Sequence, residues 1–474
     1  MLLRHAGRPI AQNSILANTL VIADLCLVRH SIYQQSSADI NCGDAWRGNA
    51  MGVEAIGAPG DASLLMPGVS SPWLNSGSSR IPAKIYTDPA IYARELARIF
   101  YGPHWNYVGL EVEIPSPGCF KRTMIGERSV IMIRNRAGEI NVLENRCAHR
   151  AMQFCQERHG QVKTLVCPYH QWNYNYDGKL LGVPFQRGVK GQGGMPADFA
   201  LTDRALTKLS VAVRNGVVFA SFDASVAPFE DYVGPDVLPY FDRTFDGREL
   251  VVHGYSRQRI PGNWKLMMEN IKDPYHPGLL HTWFVTFGLW RADNKSNLVM
   301  DAHGRHACMV SRRSETLDEE VTKGVSSFRR NMTLNDKALL DIVHEDWWGE
   351  PTVCMTTLFP SVILQQQVNS LSTRQIIPRG PHEFDFVWTH FGFANDNEEM
   401  RARRLMQANL FGPAGYVSAD DGEVIEFSQD GFRQDGDFES LCELGGTDVG
   451  NTDHMVTETL IRGMYHYWRK VMEL

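Results

Sequence analysis

The chain has 474 residues, 47 of them Lys or Arg and 54 Asp or Glu, with 43% hydrophobic side chains. Roughly two to four domains are expected at that length, and the ordinary composition excludes a disordered or low-complexity chain. A net charge of −7 offers no basic excess for phosphates, which excludes nucleic acid as the main partner, and nine scattered Cys do not make a disulfide scaffold, so a cytoplasmic, reducing setting is expected.

Ile15 to Val28 is the one run that resembles a targeting or membrane element. It falls short of the roughly 20 residues a bilayer span needs, and Asn18 and Asp24 interrupt it, so no membrane association is expected. Met51 is a second plausible start, followed by a Gly-, Pro- and Ser-rich stretch to Arg80. Residues 1–80 therefore read as an extension and loop, of which 1–50 need not be translated.

From Asp88 to Tyr101 the apolar residues recur at helical spacing, with Pro89 suited to a first turn. After Pro103 the texture changes to short β-type runs: Trp105–Gly109, Ser129–Arg134, Glu139–Leu143 and Val211–Phe222, separated by Gly and Pro turns. These predict a small all-β domain over 103–222. Residues 224–239 read as a linker, and Lys190–Pro196 as a plain Gly-rich loop. The rest, 223–474, mixes a helix from Trp264 with strands at Ser361–Val368 and Phe384–Phe391. It ends on an amphipathic helix carrying Ile461, Met464, Tyr465, Trp468 and Met472.

Two constellations carry chemistry. Cys147-Ala148-His149 and Cys167-Pro168-Tyr169-His170 each supply one thiolate and one imidazole. Zinc fingers usually pair their two Cys in one arm, whereas mixed arms suit a Rieske 2Fe–2S cluster with two Cys on one iron and two His on the other. A structural zinc site is the competing reading. Cys155 and His159, between the arms, read as bystanders. The second constellation is Glu269-Asn270-Ile271-Lys272-Asp273-Pro274-Tyr275-His276, with His281 five residues on. Asp273 and His276 would share a helix face, and Pro277-Gly278 would bend the chain so that both His meet one ion. Two imidazoles and one carboxylate make an open ferrous site. The carboxylate must come from elsewhere, and Asp420-Asp421 after the Phe411–Gly415 loop is the candidate, a pair that alone could equally be a turn or a cap. His303, His306, His344 and His390 lack such grouping and read as ordinary polar or core residues.

Together, CAH…CPYH and ENIKDPYHPGLLH resemble the large subunits of Rieske non-haem iron aromatic-ring hydroxylating oxygenases, over roughly Ile81 to the C-terminus. The resemblance implies an α+β fold: a small all-β Rieske 2Fe–2S domain (103–222) and a helix-grip catalytic domain with an antiparallel sheet (223–474), to which the 81–102 helix belongs. It implies that Cys147, His149, Cys167 and His170 hold the cluster, and that His276, His281 and Asp421 hold a mononuclear Fe(II). Asp273 would bridge His276 to His170 of the partner subunit in an alpha3 or alpha3beta3 oligomer. Implied partners are a small beta subunit, a ferredoxin and an NAD(P)H-dependent reductase. The runs FPSVILQQQVNS and NLFGPAGYVSADDGEVIE resemble members acting on aromatic acids. Hydroxylation of salicylate to gentisate is the implied reaction, with ring dioxygenation of anthranilate or terephthalate as the second reading. An electron-transfer or zinc protein without oxygen chemistry is the third. Gln367, Ser418 and Arg374 are the candidate substrate contacts. Gln367 and Arg374 have opposite parity, so a bulge or turn must intervene if both face one pocket.

Overall fold

The Gly- and Pro-punctuated stretch after Pro103 folds into three small antiparallel sheets, as its short runs require. The structure, a computed structural model, describes residues 72–73, 77–287, 294–312, 339 and 341–474. The apolar run Ile15–Val28 and the start at Met51 lie outside them. One sheet joins Ser210–Arg214, Val217–Ser221 and Asn106–Leu110, and a second orders Ile140–Glu144, Arg128–Arg134, Cys119–Ile125 and His159–Gln161. The third, of Leu165–Val166, Asn173–Tyr174 and Leu180–Gly182, carries the second Cys/His arm. The segment 224–239 is more than a linker. It contributes to two short helices, Phe229–Val233 and Leu238–Thr244, because Phe229, Tyr232, Val233 and Phe241 have an apolar seam to fill.

The C-terminal half is built on one seven-stranded antiparallel sheet. Its strands are β1 (Leu250–Ile260), β2 (Lys295–Met300), β3 (Ala307–Arg312), β4 (Val353–Leu358), β5 (Val362–Gln367), β6 (Ser370–Pro378) and β7 (Phe384–Phe393), in the spatial order β1-β7-β6-β5-β4-β3-β2. Every residue of β5 and β6 is buried, so both faces are covered. One face is apolar: Val362, Leu364, Leu371, Phe391 and Phe393 pack with Tyr107, Val217 and Phe219 of the β domain and with the two short helices. Polar bonds pin the same seam. Gln375 Nε2 donates to the Tyr107 and Met124 carbonyls, and the Tyr255 hydroxyl donates to Glu113, which Lys121 also grips.

The helices that matter are α1 (Pro89–Glu95), α2 (Trp264–Lys272), α3 (Glu398–Phe411), α4 (Tyr416–Gln434) and α5 (Thr459–Met472). Asp88 caps α1, accepting from Ala90 N at 2.7 Å, and the helix runs on as a π-helical turn over Leu96–Phe100. No helix among the described residues is long and apolar enough to cross a membrane. A fully buried ion pair ties three helices together: Lys265 of α2 meets Glu95 of α1 at 2.8 Å. Both Glu95 oxygens also take indole N–H bonds, from Trp264 and from Trp468 of α5, each at 2.8 Å. Glu95→Ala leaves Lys265 buried without its countercharge, with only Asn263 Oδ1 at 2.7 Å to accept from it, and strands two indole donors. The expected loss is about 3–5 kcal/mol in chemical denaturation. A variant within about 1 kcal/mol of the parent would mean the pair contributes little.

Candidate metal centres and substrate pocket

The two Cys/His arms are the same turn built twice. Cys147 N donates to Met152 O at 2.9 Å and Ala151 N to Cys147 O at 3.0 Å; Cys167 N donates to Trp172 O at 2.9 Å and Gln171 N to Cys167 O at 2.8 Å. The residue four beyond each Cys, Ala151 or Gln171, has a positive φ, which turns each loop back sharply. Both Cys are buried, while His149 is exposed and His170 half-buried. His149 Nδ1 and His170 Nδ1 stand 3.2 Å apart, close to the roughly 3.3 Å expected of two nitrogens bound tetrahedrally to one ion. A single zinc would need all four donors within a few ångströms of each other. The two imidazoles are thus paired and each Cys is buried at the base of its own turn, an arrangement that suits two Cys on one iron and two His on the other. Burial pushes the Cys167 thiol up, so a cation is needed beside it to hold the thiolate. Cys155 and His159 find partners elsewhere, Glu157 O and Glu113.

Among the described residues His276, His281 and Asp421 are the one group of three potential ligands whose atoms lie mutually within 4.8 Å. Asp421 Oδ1 is 3.5 Å from His276 Nε2 and 3.2 Å from His281 Nε2. Asp273 and His276 do not share a helix, contrary to the spacing argument. α2 stops at Lys272, Asp273 is its extended C-cap, and His276 opens a 3-10 turn through Gly278. The cause is local: the Asp273 carboxylate takes the N–H groups of Tyr275 and His276, each at 3.0 Å, making a turn in place of another helical residue. His276 Nδ1 then meets the Asp273 backbone carbonyl at 2.9 Å, and the carboxylate only at 3.7 Å. His281 Nδ1 meets Asp420 Oδ2 at 3.1 Å. Both imidazoles are thus held by Nδ1, which frees Nε2 for a metal. Burial pushes Asp421 up, but the bonds from both His hold it well below the usual carboxylate range. Asn270 Nδ2 adds a 3.1 Å bond to Asp421 Oδ1. These donors fit one divalent ion with open positions.

The sheet face toward this centre differs from the other. A two-residue turn at Val368-Asn369 joins β5 to β6, pairing Gln367 with Ser370 and Ile363 with Arg374. That turn resolves the parity problem: Gln367 and Arg374 lie on the same face. The face continues through Gln365, Ser372, Trp388 and His390 by register. Arg374 is 4% exposed and lies over the Trp388 ring at 4.5 Å. It has no carboxylate partner among the described residues, and its Nε is buried without a hydrogen bond. Burial pulls its guanidinium down to about 9, against the attraction of Asp421. Ser418, on α4, donates to Gln258 Oε1 of β1 at 2.5 Å and so docks helix on sheet. Phe284, Val368 and Phe411 supply an apolar wall, and Phe284 packs edge-on against His281. Of the remaining His, His306 is a core residue bonded to Phe359 N and Tyr232 O, and His344 bonds Gly349 O. His390 is different: it stands on the pocket face and meets Ser256 at 2.7 Å.

A cluster cradle and a two-His, one-carboxylate centre in one chain already delimit the class, and sequence comparison agrees. The Rieske [2Fe-2S] domain model matches residues 104–192, and the ring hydroxylating alpha subunit (catalytic domain) model matches 247–474. The chain belongs to the Rieske non-haem iron ring-hydroxylating oxygenases, as a large subunit, a family whose two domains carry a 2Fe–2S cluster and a mononuclear iron. It is 66% identical over 405 residues to the large oxygenase component of salicylate 5-hydroxylase from Ralstonia sp., covering 84% of this chain and 96% of that one. The anthranilate 1,2-dioxygenase large subunit from Burkholderia cepacia is 41% identical, with 83% and 93% covered. Naphthalene 1,2-dioxygenase from Rhodococcus sp., solved with indole, shares the fold at a TM-score of 0.69 and 24% identity, over 83% of this chain and 94% of that one. Enzymes of this family are terminal oxygenases that draw electrons from a reductase and a ferredoxin, usually beside a beta subunit.

The sequence reading missed Asp420 as the partner that orients His281, and Asn270 as the clamp on Asp421. The first was visible as the other half of an Asp-Asp pair; nothing in the sequence marked the second. It also missed Tyr174, whose hydroxyl takes the Ala148 N–H at 3.1 Å and faces Cys147 Sγ at 3.3 Å.

Proposed function

We propose that this chain is the large subunit of a terminal oxygenase converting salicylate, O2, two electrons and two protons to gentisate and water. The observation that carries this reading is the 66% identity along almost the whole of a salicylate 5-hydroxylase component. The pocket supports it with a buried guanidinium, Arg374, that has no carboxylate hydrogen-bonded to it among the described residues. In this reading Cys147, His149, Cys167 and His170 hold the cluster, and His276, His281 and Asp421 hold the iron. When bound, the cluster supplies electrons one at a time and the iron supplies the site of oxygen chemistry.

Arg374 takes the substrate carboxylate, and Gln367 takes the phenolic oxygen. About 13 Å of strand separates their backbones, a span that two long side chains and one substituted ring fill. Ser418 closes the wall between α4 and β1. The domain division is 103–222 for the cluster domain and 223–474 for the catalytic domain, with 1–80 an extension; segment 81–102 belongs to the catalytic domain, though it is not one helix but a strand end, Arg80–Pro82, followed by helical turns from Lys84 to Phe100. Asp273 faces an open cavity of about 380 Å³ shared with Glu269, Asn270, His276 and Glu458. The cavity leaves room for the partner subunit's His170, half-exposed in the single chain, which supports an alpha3 or alpha3beta3 ring; the setting is cytoplasmic, and a ferredoxin and an NAD(P)H-dependent reductase supply the electrons. Purified large and small subunits with their redox partners should give gentisate from salicylate with one atom from 18O2. A catechol or a cis-diol as main product rejects the reading.

Tyr174→Phe tests the cluster assignment. A metal-bound thiolate has no proton to give, so at 3.3 Å the Tyr174 hydroxyl is the donor to Cys147 Sγ, in a bond that strengthens as the reduced cluster gains negative charge. Losing about 1–1.5 kcal/mol of that preference lowers a one-electron potential by about 40–65 mV. Redox titration followed by EPR measures it; an unchanged potential would place the sulfur outside the cluster.

A further inference from the structure

The pocket face of β5 and β6 holds a short hydrogen-bonded chain. Ser372 Oγ donates to Gln365 Oε1 at 3.3 Å, and Gln365 Nε2 donates to Gln367 Oε1. Gln365 stands opposite Ser372 in register and two residues before Gln367, so all three share one face. Gln365 and Ser372 are each 1% exposed, whereas Gln367 is 7% exposed. The neighbouring Gln366 points to the other face and is fully engaged, accepting from Arg243 and donating to the Thr352 and Val368 carbonyls. The donors of the chain run in one direction. They use the Gln367 carbonyl oxygen and leave its Nε2 with no partner among the described residues.

We propose that Gln365, anchored by Ser372, is a positioning residue that turns the Gln367 amide so that N–H, and not C=O, faces the substrate, and that this orientation makes the site prefer a ring substituent that accepts a hydrogen bond over one that donates. A phenolic oxygen accepts. An aromatic amine carries two N–H donors, and its lone pair is delocalised into the ring, so it would set donor against donor. Left unpaired in a buried pocket, such groups cost binding, which is how one amide discriminates between substituents of nearly equal size. The inference deepens the proposed function and rests on that reading of the pocket. Gln365 does not touch the substrate; it acts through Gln367.

The experiment compares 2-, 3- and 4-hydroxybenzoates with the matched aminobenzoates, using the complete enzyme with its redox partners. The readout is the hydroxy-to-amino ratio of kcat/KM. Gln365→Leu removes the donor that fixes Gln367, and the ratio should fall about tenfold, through KM with kcat largely kept. Gln365→Glu offers only acceptors, so Gln367 must donate inward and present its carbonyl; the ratio should fall further and favour the amine. If either folded variant lowers kcat/KM equally for both members of a pair, Gln365 is structural only and the proposal is overturned. Gln365→Leu decides this by itself if Gln365→Glu does not fold. A parent enzyme that prefers another hydroxybenzoate to salicylate corrects the substrate reading, while the ratios in the variants still decide the role of Gln365.

Discussion

Asp273→Ala is expected to keep its iron and its cluster and still lose coupled product formation by about a hundredfold. The two outcomes separate because of how His276 is held. Its Nδ1 is paired with the backbone carbonyl of residue 273, which any residue supplies, so the imidazole keeps its orientation without the carboxylate. The carboxylate itself caps Tyr275 N and His276 N through Oδ1. Its second oxygen has no partner among the described residues and opens on the cavity with Glu269 and Glu458. Asp273→Asn adds the decisive arm. It retains an oxygen for the two N–H groups and loses only the charge and the second acceptor. If Asp273 matters only as a turn former, Asn should restore activity. If it links the centre to a neighbouring imidazole, Asn should remain nearly as inactive as Ala. Metal analysis, the visible spectrum of the cluster and product yield per electron supplied are the three measurements. Loss of iron in both variants would reject the linking role.

What the sequence made legible follows a physical division. Segments whose pattern is dictated by burial were readable: the α5 stripe of Ile461, Met464, Tyr465, Trp468 and Met472, and the runs that became β5 and β7, lie where periodicity puts them. The side chains that converge as candidate donors were readable too, because metal donors are few in type and their spacing is constrained. Three things were not. The 224–239 stretch looked like a linker because Pro228, Gly234, Pro235 and Pro239 punctuate it, yet Phe229 and Tyr232 bury themselves in a seam formed with residues far away in the chain. Asp273 seemed helical by its spacing from His276, until its side chain took the backbone donors of the following turn. The orientation of Gln367 depends on which atom of Gln365 meets it, and no one-dimensional pattern encodes that. Parity along β5 and β6 raised the right question about Gln367 and Arg374, and a tight turn of two residues at Val368-Asn369 answered it.

Arg374→Gln should lower kcat/KM for carboxylated substrates by about a hundredfold or more while raising the thermal stability of the substrate-free enzyme. The opposite signs come from one cause. Among the described residues the guanidinium is buried against Trp388 with no carboxylate beside it, and Asp421 offsets the cost of burial only in part. An uncompensated buried charge destabilises the empty protein, so an uncharged side chain of similar length relieves it. Once a substrate carboxylate enters, the same charge acquires its partner, and truncating one half of a desolvated pair costs about 2–5 kcal/mol. Arg374→Lys should fall between the two, since a lysine keeps the charge but loses the planar fork and the stacking on Trp388. Thermal unfolding with and without salicylate reads the linkage directly. Saturating ligand should raise Tm in the parent and barely move it in Arg374→Gln, because stabilisation by a ligand scales with its affinity for the folded state. A variant that loses both activity and intrinsic stability would mark Arg374 as a packing residue. A variant that gains stability and still responds fully to salicylate would place the carboxylate elsewhere on the pocket face.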